Sequence, residues 1–337
     1  MLLTLSAATP LAAQSRLTPL PLNDPKIERR WALPGDPHGL AIGRDGTVYV
    51  GLAKPQAVVA IDPESGTVEH RLVLDSAEIA STKELVTLRT NRAGTRLYIA
   101  NGSDESATIL SLPDMTILRE ITIEGQAIRD ALPDPAGRYL FLLGRRVHVY
   151  DAAGQTELHA LNFEDPMAIA VSADGALLAV IGPQRSGGAE TTVVALFDTS
   201  NFAEIARAPL QTGERIQAAS FAADDRALMA VSRDTLFEKR FVAKEGMTRS
   251  LAERICLPDG SGPQILALAT QRVLLFAERR CNSSAPFAGS AHLVAPASLY
   301  GVDAYALAYD REHHRLLATE RSGSLTIYRV PQVAIVH

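Results

Sequence analysis

A short pattern recurs along nearly the whole chain: an apolar strand, a turn containing Asp, Gly or Asn, then a second strand rich in Leu, Val and Tyr. The clearest copies are HGLAIGRDGTVYVG (38–51), LVTLRTNRAGTRLYIAN (85–101), RDALPDPAGRYLFLLG (129–144) and MAIAVSADGALLAVIG (167–182). Weaker ones follow at QAASFAADDRALMAVS (217–232), QILALATQRVLLFAE (264–278) and YALAYDREHHRLLATE (305–320). Aligned on Gly46, Gly94, Gly137, Gly175, Asp225, Arg272 and His313, the turns are spaced 48, 43, 38, 50, 47 and 41 residues apart. A period of about 45 residues is that of a four-stranded propeller blade. One such unit cannot bury its apolar face alone, so neighbouring units must stack to form a core.

The second half of each unit agrees. Third strands appear as AVVAID (57–62), ATILSL (107–112), RVHVYD (146–151) and TVVALFD (192–198), each followed by a turn and a fourth strand. Alternation and β-branched enrichment argue strand throughout, and no stretch sustains a 3.6-residue period. A two-domain α/β arrangement lacks its crossover helices. The last unit has only three strands, ending at 324–330, while KIERRWALPG (26–35) matches the fourth-strand segment AERICLPDG (252–260). The expectation is therefore an all-β, seven-bladed β-propeller over residues 25–337. The N-terminal strand pairs into the last blade, closes the ring and removes two exposed edges.

RAGTRLYIAN (92–101), with PDMTILREI (113–121) after its third strand, resembles the YVTN-type propeller repeat. TVYVGLAKPQAVVAIDPESGTVEHRLVL (47–74) is a second good copy, and the resemblance runs over residues 25–330, strongest in the first four units. PHGLAIGRDGTVYV is also similar to NHL and gluconolactonase-type repeats. The polar channel residues, the absence of cofactor motifs and the irregular loops of the fourth to sixth units point to a binding or interaction scaffold for a small polar ligand or a protein partner. The YVTN resemblance implies, as the alternative, the propeller subunit of a periplasmic dehydrogenase complex. Lactonases and lyases on related propellers use His, Glu and Arg at the channel mouth, and His38, Glu84 and Arg129 match those types here. Trp-based propeller classes are disfavoured, because Trp31 is the only tryptophan.

Composition narrows the partners. A net charge of −5 without a run of five like charges leaves no basic stripe for nucleic acid. Apolar stretches stop short of the roughly 18 residues a membrane helix needs. Two cysteines exclude a zinc ribbon, a haem attachment motif and an iron–sulfur set, so no cofactor or metal is expected. MLLTLSAATPLAAQS (1–15) reads as a secretory leader ending near Ala12–Ala13, with residues 1–24 as leader and linker. That predicts a periplasmic or secreted protein, a monomer or a subunit of a hetero-complex. In such a compartment Cys256 and Cys281 are disulfide candidates. Closing that loop of about 26 residues stabilises by roughly 3.5 kcal/mol in the chain-entropy picture.

First strands line the channel of a propeller. The alignment puts His38, Val86, Arg129, Met167, Gln217, Gln264 and Tyr305 at equivalent places near one mouth, with Glu84, Asp130 and Arg215 beside them. Arg129 and Arg215 suit a carboxylate or phosphate. His38 suits a general base or a metal ligand. The alternative is a water-filled channel whose polar residues serve solvation alone. Departures from the repeat at 182–191, 232–250 and 278–292 read as insertions on the fourth to sixth units, where loops carry specificity.

Overall fold

Consecutive units fold as separate antiparallel meanders in a computed structural model of the chain. It describes residues 15–22, 27–53, 56–74, 86–102, 105–186, 189–210, 215–221, 227–232, 235–242, 246–254, 266–268, 273–275, 304–310, 312–320 and 322–329. Among these there is no helix, and therefore none long and apolar enough to cross a membrane.

The first sheet runs Pro37–Ile42, Val48–Ala53, Gln56–Ile61, Thr67–Val73. The second holds Val86–Thr90, Arg96–Asn101, Ser106–Ser111 and Ile117–Thr122; the third Asp130–Pro133, Tyr139–Leu143, Val147–Asp151 and Glu157–Ala160. The fourth holds Ala168–Val171, Leu177–Ser186, Ala189–Asp198 and Glu204–Pro209; the fifth Ala218–Phe221, Ala227–Val231, Thr235–Val242 and Gly246–Arg254. Leu266–Leu268 and Val273–Leu275 form a two-stranded piece. The last sheet combines Ala304–Asp310, Arg315–Glu320 and Ser324–Arg329 with the distant strand Ile27–Ala32. The expected pairing of the N-terminal strand with the last unit is thus present, with Trp31 opposite Leu325.

The middle strands read as near-continuous apolar runs because both of their faces are covered. Leu140 and Leu142 pack against Ile109 and Tyr98 of the second sheet. Phe141 and Leu143 join Leu178 and Val180 of the fourth. The period of two along one strand therefore feeds two different cores. The same holds in the first sheet. Tyr49, Val58 and Ala60 face the second sheet, while Val48, Val50 and Val59 share a core with Leu317, Leu325 and Ile327 of the last. Fully burying one such side chain contributes about 1.5–3 kcal/mol, so these cores between sheets carry most of the stability.

Several first strands neighbour one another. Pro37–Ile42 lies beside Val86–Thr90 and beside Ala304–Asp310, and Val86–Thr90 lies beside Asp130–Pro133. Arginines at or just before the start of second strands tie three of the sheets to a neighbour. Arg96 Nη1 donates to the Ala152 carbonyl at 2.8 Å. Arg138 Nη2 donates to the Gly175 carbonyl at 2.7 Å and to Thr199 Oγ1 at 3.1 Å. Arg315 reaches Glu64 of the first sheet with Nη1 and Asp310 Oδ2 with Nη2, the latter at 3.0 Å.

The segment before residue 25 also belongs to this body. Ser15 and Arg16 pair with Val68 and Thr67 on the outer edge of the first sheet. Farther on, the Leu20 amide donates to Arg30 and the Ala32 amide to Thr18, at 2.8 and 2.9 Å. Leu17 is buried in the core shared with Trp31. Residues 15–20 thus strap the seam between the first and last sheets. Gly66 lies beneath the strap at φ +69°, and a Cβ there would stand 2.7 Å from Trp31 Cε3.

Candidate functional site

The entry ends of the first strands gather the expected polar residues into two groups. The first is at the seam of the first and last sheets. His38, in the strand Pro37–Ile42, packs its ring 4.2 Å from that of Tyr305. Its Nε2 lies 3.4 Å from Asp36 Oδ2, and its Nδ1 is buried. Thr319 Oγ1 donates to the His38 carbonyl at 3.0 Å, fixing the backbone from the last sheet. The imidazole is thus held by a carboxylate, a ring and the backbone.

The second group surrounds Arg129, which immediately precedes the strand Asp130–Pro133. Its amide donates to the Leu143 carbonyl at 2.8 Å. Its Nη2 donates to the Gly144 carbonyl at 2.8 Å and also to the carbonyl of Pro166, at the entry of the fourth sheet. Main-chain carbonyls orient this guanidinium without neutralising it. Burial lowers its pKa from the ordinary arginine value, the charge of Arg215 lowers it further, and Asp165 opposes them. Arg215 is exposed, and among the described residues neither arginine forms an ion pair. Two cations therefore bear on one place, with one of them only half-buried.

Asp130 does not balance Arg129. Its carboxylate is taken by Arg89, Nε to Oδ1 at 3.3 Å and Nη2 to Oδ2 at 3.0 Å. Asp130 Oδ1 also accepts the Ala131 amide at 2.9 Å. The carboxylate raises the Arg89 pKa in return. Arg89 and Thr87 are two residues apart on Val86–Thr90 and so share a face. Thr87 Oγ1 donates to the Arg129 carbonyl at 3.3 Å, so that face abuts the Arg129–Asp130 entry.

Arg89 is not among the residues the repeat alignment singles out. Its signal is local: in VTLRT the buried Leu88 separates Thr87 from an exposed arginine on the side facing the third sheet. Gln217 is exposed, just ahead of Ala218–Phe221. Glu84, Gln264, Cys256 and Cys281 lie outside the described residues. Among the described residues no three His, Cys, Asp or Glu side chains gather as a metal would need.

No protein-family model matches the chain, and no curated protein matches it. Solved structures do. Hydrazine synthase of Kuenenia stuttgartiensis superposes with a TM-score of 0.67 at 13% identity, over 88% of this chain and 96% of that one. The β-propeller domain of Myceliophteria thermophila Cps50 (Swd1) gives 0.63 at 15%, over 90% and 99%. The fold is a β-propeller. Virginiamycin B lyase from Staphylococcus aureus gives 0.62 at 14%, over 90% of this propeller and 98% of its own chain. At such identities the likeness concerns the fold alone.

Proposed function

We propose that the chain is an exported, seven-bladed propeller of YVTN type. It serves as a binding scaffold that takes a small oxyanion, carboxylate or phosphate, at the channel mouth through Arg129 and Arg215. The observation that carries the reading is the Arg129 guanidinium. It is half-buried, aimed by the carbonyls of Gly144 and Pro166, joined by the charge of Arg215, opposed only through space by Asp165, and in no ion pair among the described residues. Arginine's planar fork matches carboxylate and phosphate oxygens in pairs, and charge-assisted bonds of this kind are the stronger class. The count of seven rests on the seven spaced turns, and closure of the ring on the pairing of Ile27–Ala32 with Ser324–Arg329.

Export rests on the apolar leader. Among the described residues the strap starts at Ser15, so cleavage near Ala12–Ala13 spares the described residues that hold the seam. A catalytic reading in the manner of a lyase or lactonase would ask His38 to exchange protons. The ring instead has Nε2 beside Asp36 and Nδ1 buried, which favours binding over catalysis.

Calorimetric titration with acetate, succinate, citrate and inorganic phosphate tests the reading. At least one binds, and Arg129→Met and Arg215→Met each weaken it by about tenfold or more, the worth of a charged hydrogen bond. The carboxylate and phosphate arms tell the two sources of oxyanion apart. Absence of binding by all four at millimolar concentration, or unchanged binding in both folded variants, overturns it. Separately, the mature secreted chain starts after Ala13 and yields no titratable thiol without reductant, as the proposed pairing of Cys256 with Cys281 requires. A retained leader or two free thiols would refute export and the disulfide.

A further inference from the structure

We infer that Gln126 is a positioning residue for Arg129, and that protonation of His148 behind it ties oxyanion binding to pH. The inference deepens the anion-binding reading above and rests on it.

The peptide that joins Gly144 to Arg145 is held at both of its polar ends. Its carbonyl accepts Arg129 Nη2 at 2.8 Å, and its amide donates to Gln126 Oε1 at 3.1 Å. A peptide is planar, so a side chain that fixes the amide also fixes the direction of the carbonyl. The glycine lets Gln126 come this close, because a Cβ on Gly144 would stand 3.0 Å from Gln126 Oε1. Gln126 thus acts on one of the two carbonyls that aim Arg129, through a printed contact at each step.

His148, buried in the strand Val147–Asp151, backs Gln126. Its Nε2 is 3.3 Å from Gln126 Oε1 and its Nδ1 is 2.8 Å from Glu157 Oε1. The Arg145 amide requires the oxygen of the Gln126 side chain at this place. Both ring nitrogens therefore meet acceptors, and only the imidazolium donates to both. A neutral ring keeps its one proton for the carboxylate, the stronger acceptor, and turns a lone pair on Gln126 Oε1. Rotating the Gln126 amide relieves that contact but sets its NH2 against the Arg145 amide. Either way the peptide loses part of its hold.

Two other ionisable groups are bonded beside this pair among the described residues. The Tyr150 hydroxyl donates to Glu157 Oε2 at 3.4 Å, and that of Tyr98, from the second sheet, to the Ala152 carbonyl at 3.4 Å. Burial raises the pKa of both tyrosines, so neither titrates with a histidine. Glu124, two residues before Gln126, is exposed, and Leu142, opposite His148 on the adjacent strand, carries no charge.

Calorimetry of acetate and sulfate binding tests the coupling from about pH 6 to about pH 8, where histidine ordinarily loses its proton and neither anion changes charge. Wild type weakens by about three- to tenfold over that rise, the worth of one hydrogen bond. His148→Gln, which cannot titrate, and Gln126→Met, which releases the peptide, each give a flat profile. In NMR spectra of the unliganded chain the Arg145 amide shift follows the titration of the His148 ring.

A pH dependence that survives in folded Gln126→Met would show the His148 charge acting through space, and one that survives in folded His148→Gln would assign it to another group; either overturns the inference. So does a flat wild-type profile, or an Arg145 amide that ignores the His148 titration. Should a variant fail to fold, the wild-type profile and the NMR titration decide. Failure of the anion-binding reading looks different: neither anion binds, or Arg129→Met leaves binding unchanged, while the Arg145 amide still follows His148.

Discussion

Arg315→Met probes the seam between the first and last sheets. Arg315 is 8% exposed and joins two carboxylates. Asp310, 7% exposed, receives Nη2 at 3.0 Å; Glu64, half exposed, receives Nη1. Removing one partner of a buried ion pair costs about 3–5 kcal/mol when the other charge is stranded. Asp310 is not fully stranded. It keeps His313 Nδ1 at 2.8 Å and the amides of Glu312 and His313 at 3.1 Å, which brings its share to about 2 kcal/mol. Glu64 retains Arg29 at 2.6 Å and is exposed, so its share is about 0–1 kcal/mol. The expected loss is about 2–3 kcal/mol at neutral pH.

Acid narrows that gap. Burial disfavours the Asp310 carboxylate, but the bonds from Arg315 and His313 outweigh it, and its folded pKa lies below the ordinary value. A depressed carboxylate pKa stabilises the fold above the unfolded value of about 3.9, and that stability is lost as pH falls through the folded value. The wild-type advantage is therefore full near pH 7 and shrinks below about pH 4. Urea titration followed by the emission of Trp31, the only tryptophan, reads the seam directly, because Trp31 Nε1 donates to the Pro63 carbonyl of the first sheet at 2.9 Å. A loss below about 1 kcal/mol at pH 7, or a gap that widens on acidification, would refute the reasoning.

Three further outcomes are expected. Gly66→Ala destabilises by about 2–3 kcal/mol and shifts Trp31 emission, since a left-handed residue acquires a Cβ 2.7 Å from the indole; unchanged melting and emission would count against it. Tyr49→Phe is neutral or stabilising by up to about 1 kcal/mol in the same urea assay, because the Tyr49 hydroxyl is buried without a hydrogen-bond partner among the described residues. A clear loss of stability would contradict that. Arg138→Met costs about 2 kcal/mol although Arg138 itself is 40% exposed, because the Asp134 carboxylate it leaves behind is fully buried and keeps only the Ala136 and Arg138 amides among the described residues; a loss below about 0.5 kcal/mol would count against that.

The backbone plan was legible because strand periodicity and turn chemistry are local. The turn glycines Gly46, Gly94, Gly137 and Gly175 all sit at positive φ between first and second strands. The likeness of KIERRWALPG to a fourth strand correctly located the partner of Ser324–Arg329. The site was legible only in part. Equal position in a repeat places Arg129 and His38 at strand entries, but which carboxylate meets which arginine depends on how adjacent sheets face each other. Hence Asp130 pairs across the sheets with Arg89 and not with its neighbour. The strap at 15–20 was hidden for a related reason: SRLTPL has no strand pattern and is held by edges that spacing does not reveal.

The joined ends set an order of events during folding. Most sheets pair strands that are close in sequence, whereas Glu28 and Arg329, linked at 2.9 Å, are 301 residues apart. The loop-closure entropy for such a contact is spent before any gain is realised, so late formation is its natural place. Until 324–329 has emerged and settled, the first and last sheets each lack a cover, and Trp31 has no complete pocket. The seam thus carries its own latch, Ile27–Ala32 held against Ser324–Arg329. Unfolding from the seam releases strap, N-terminal strand and indole together, which makes a single fluorescence signal the clock for the pairing of Ile27–Ala32 with Ser324–Arg329.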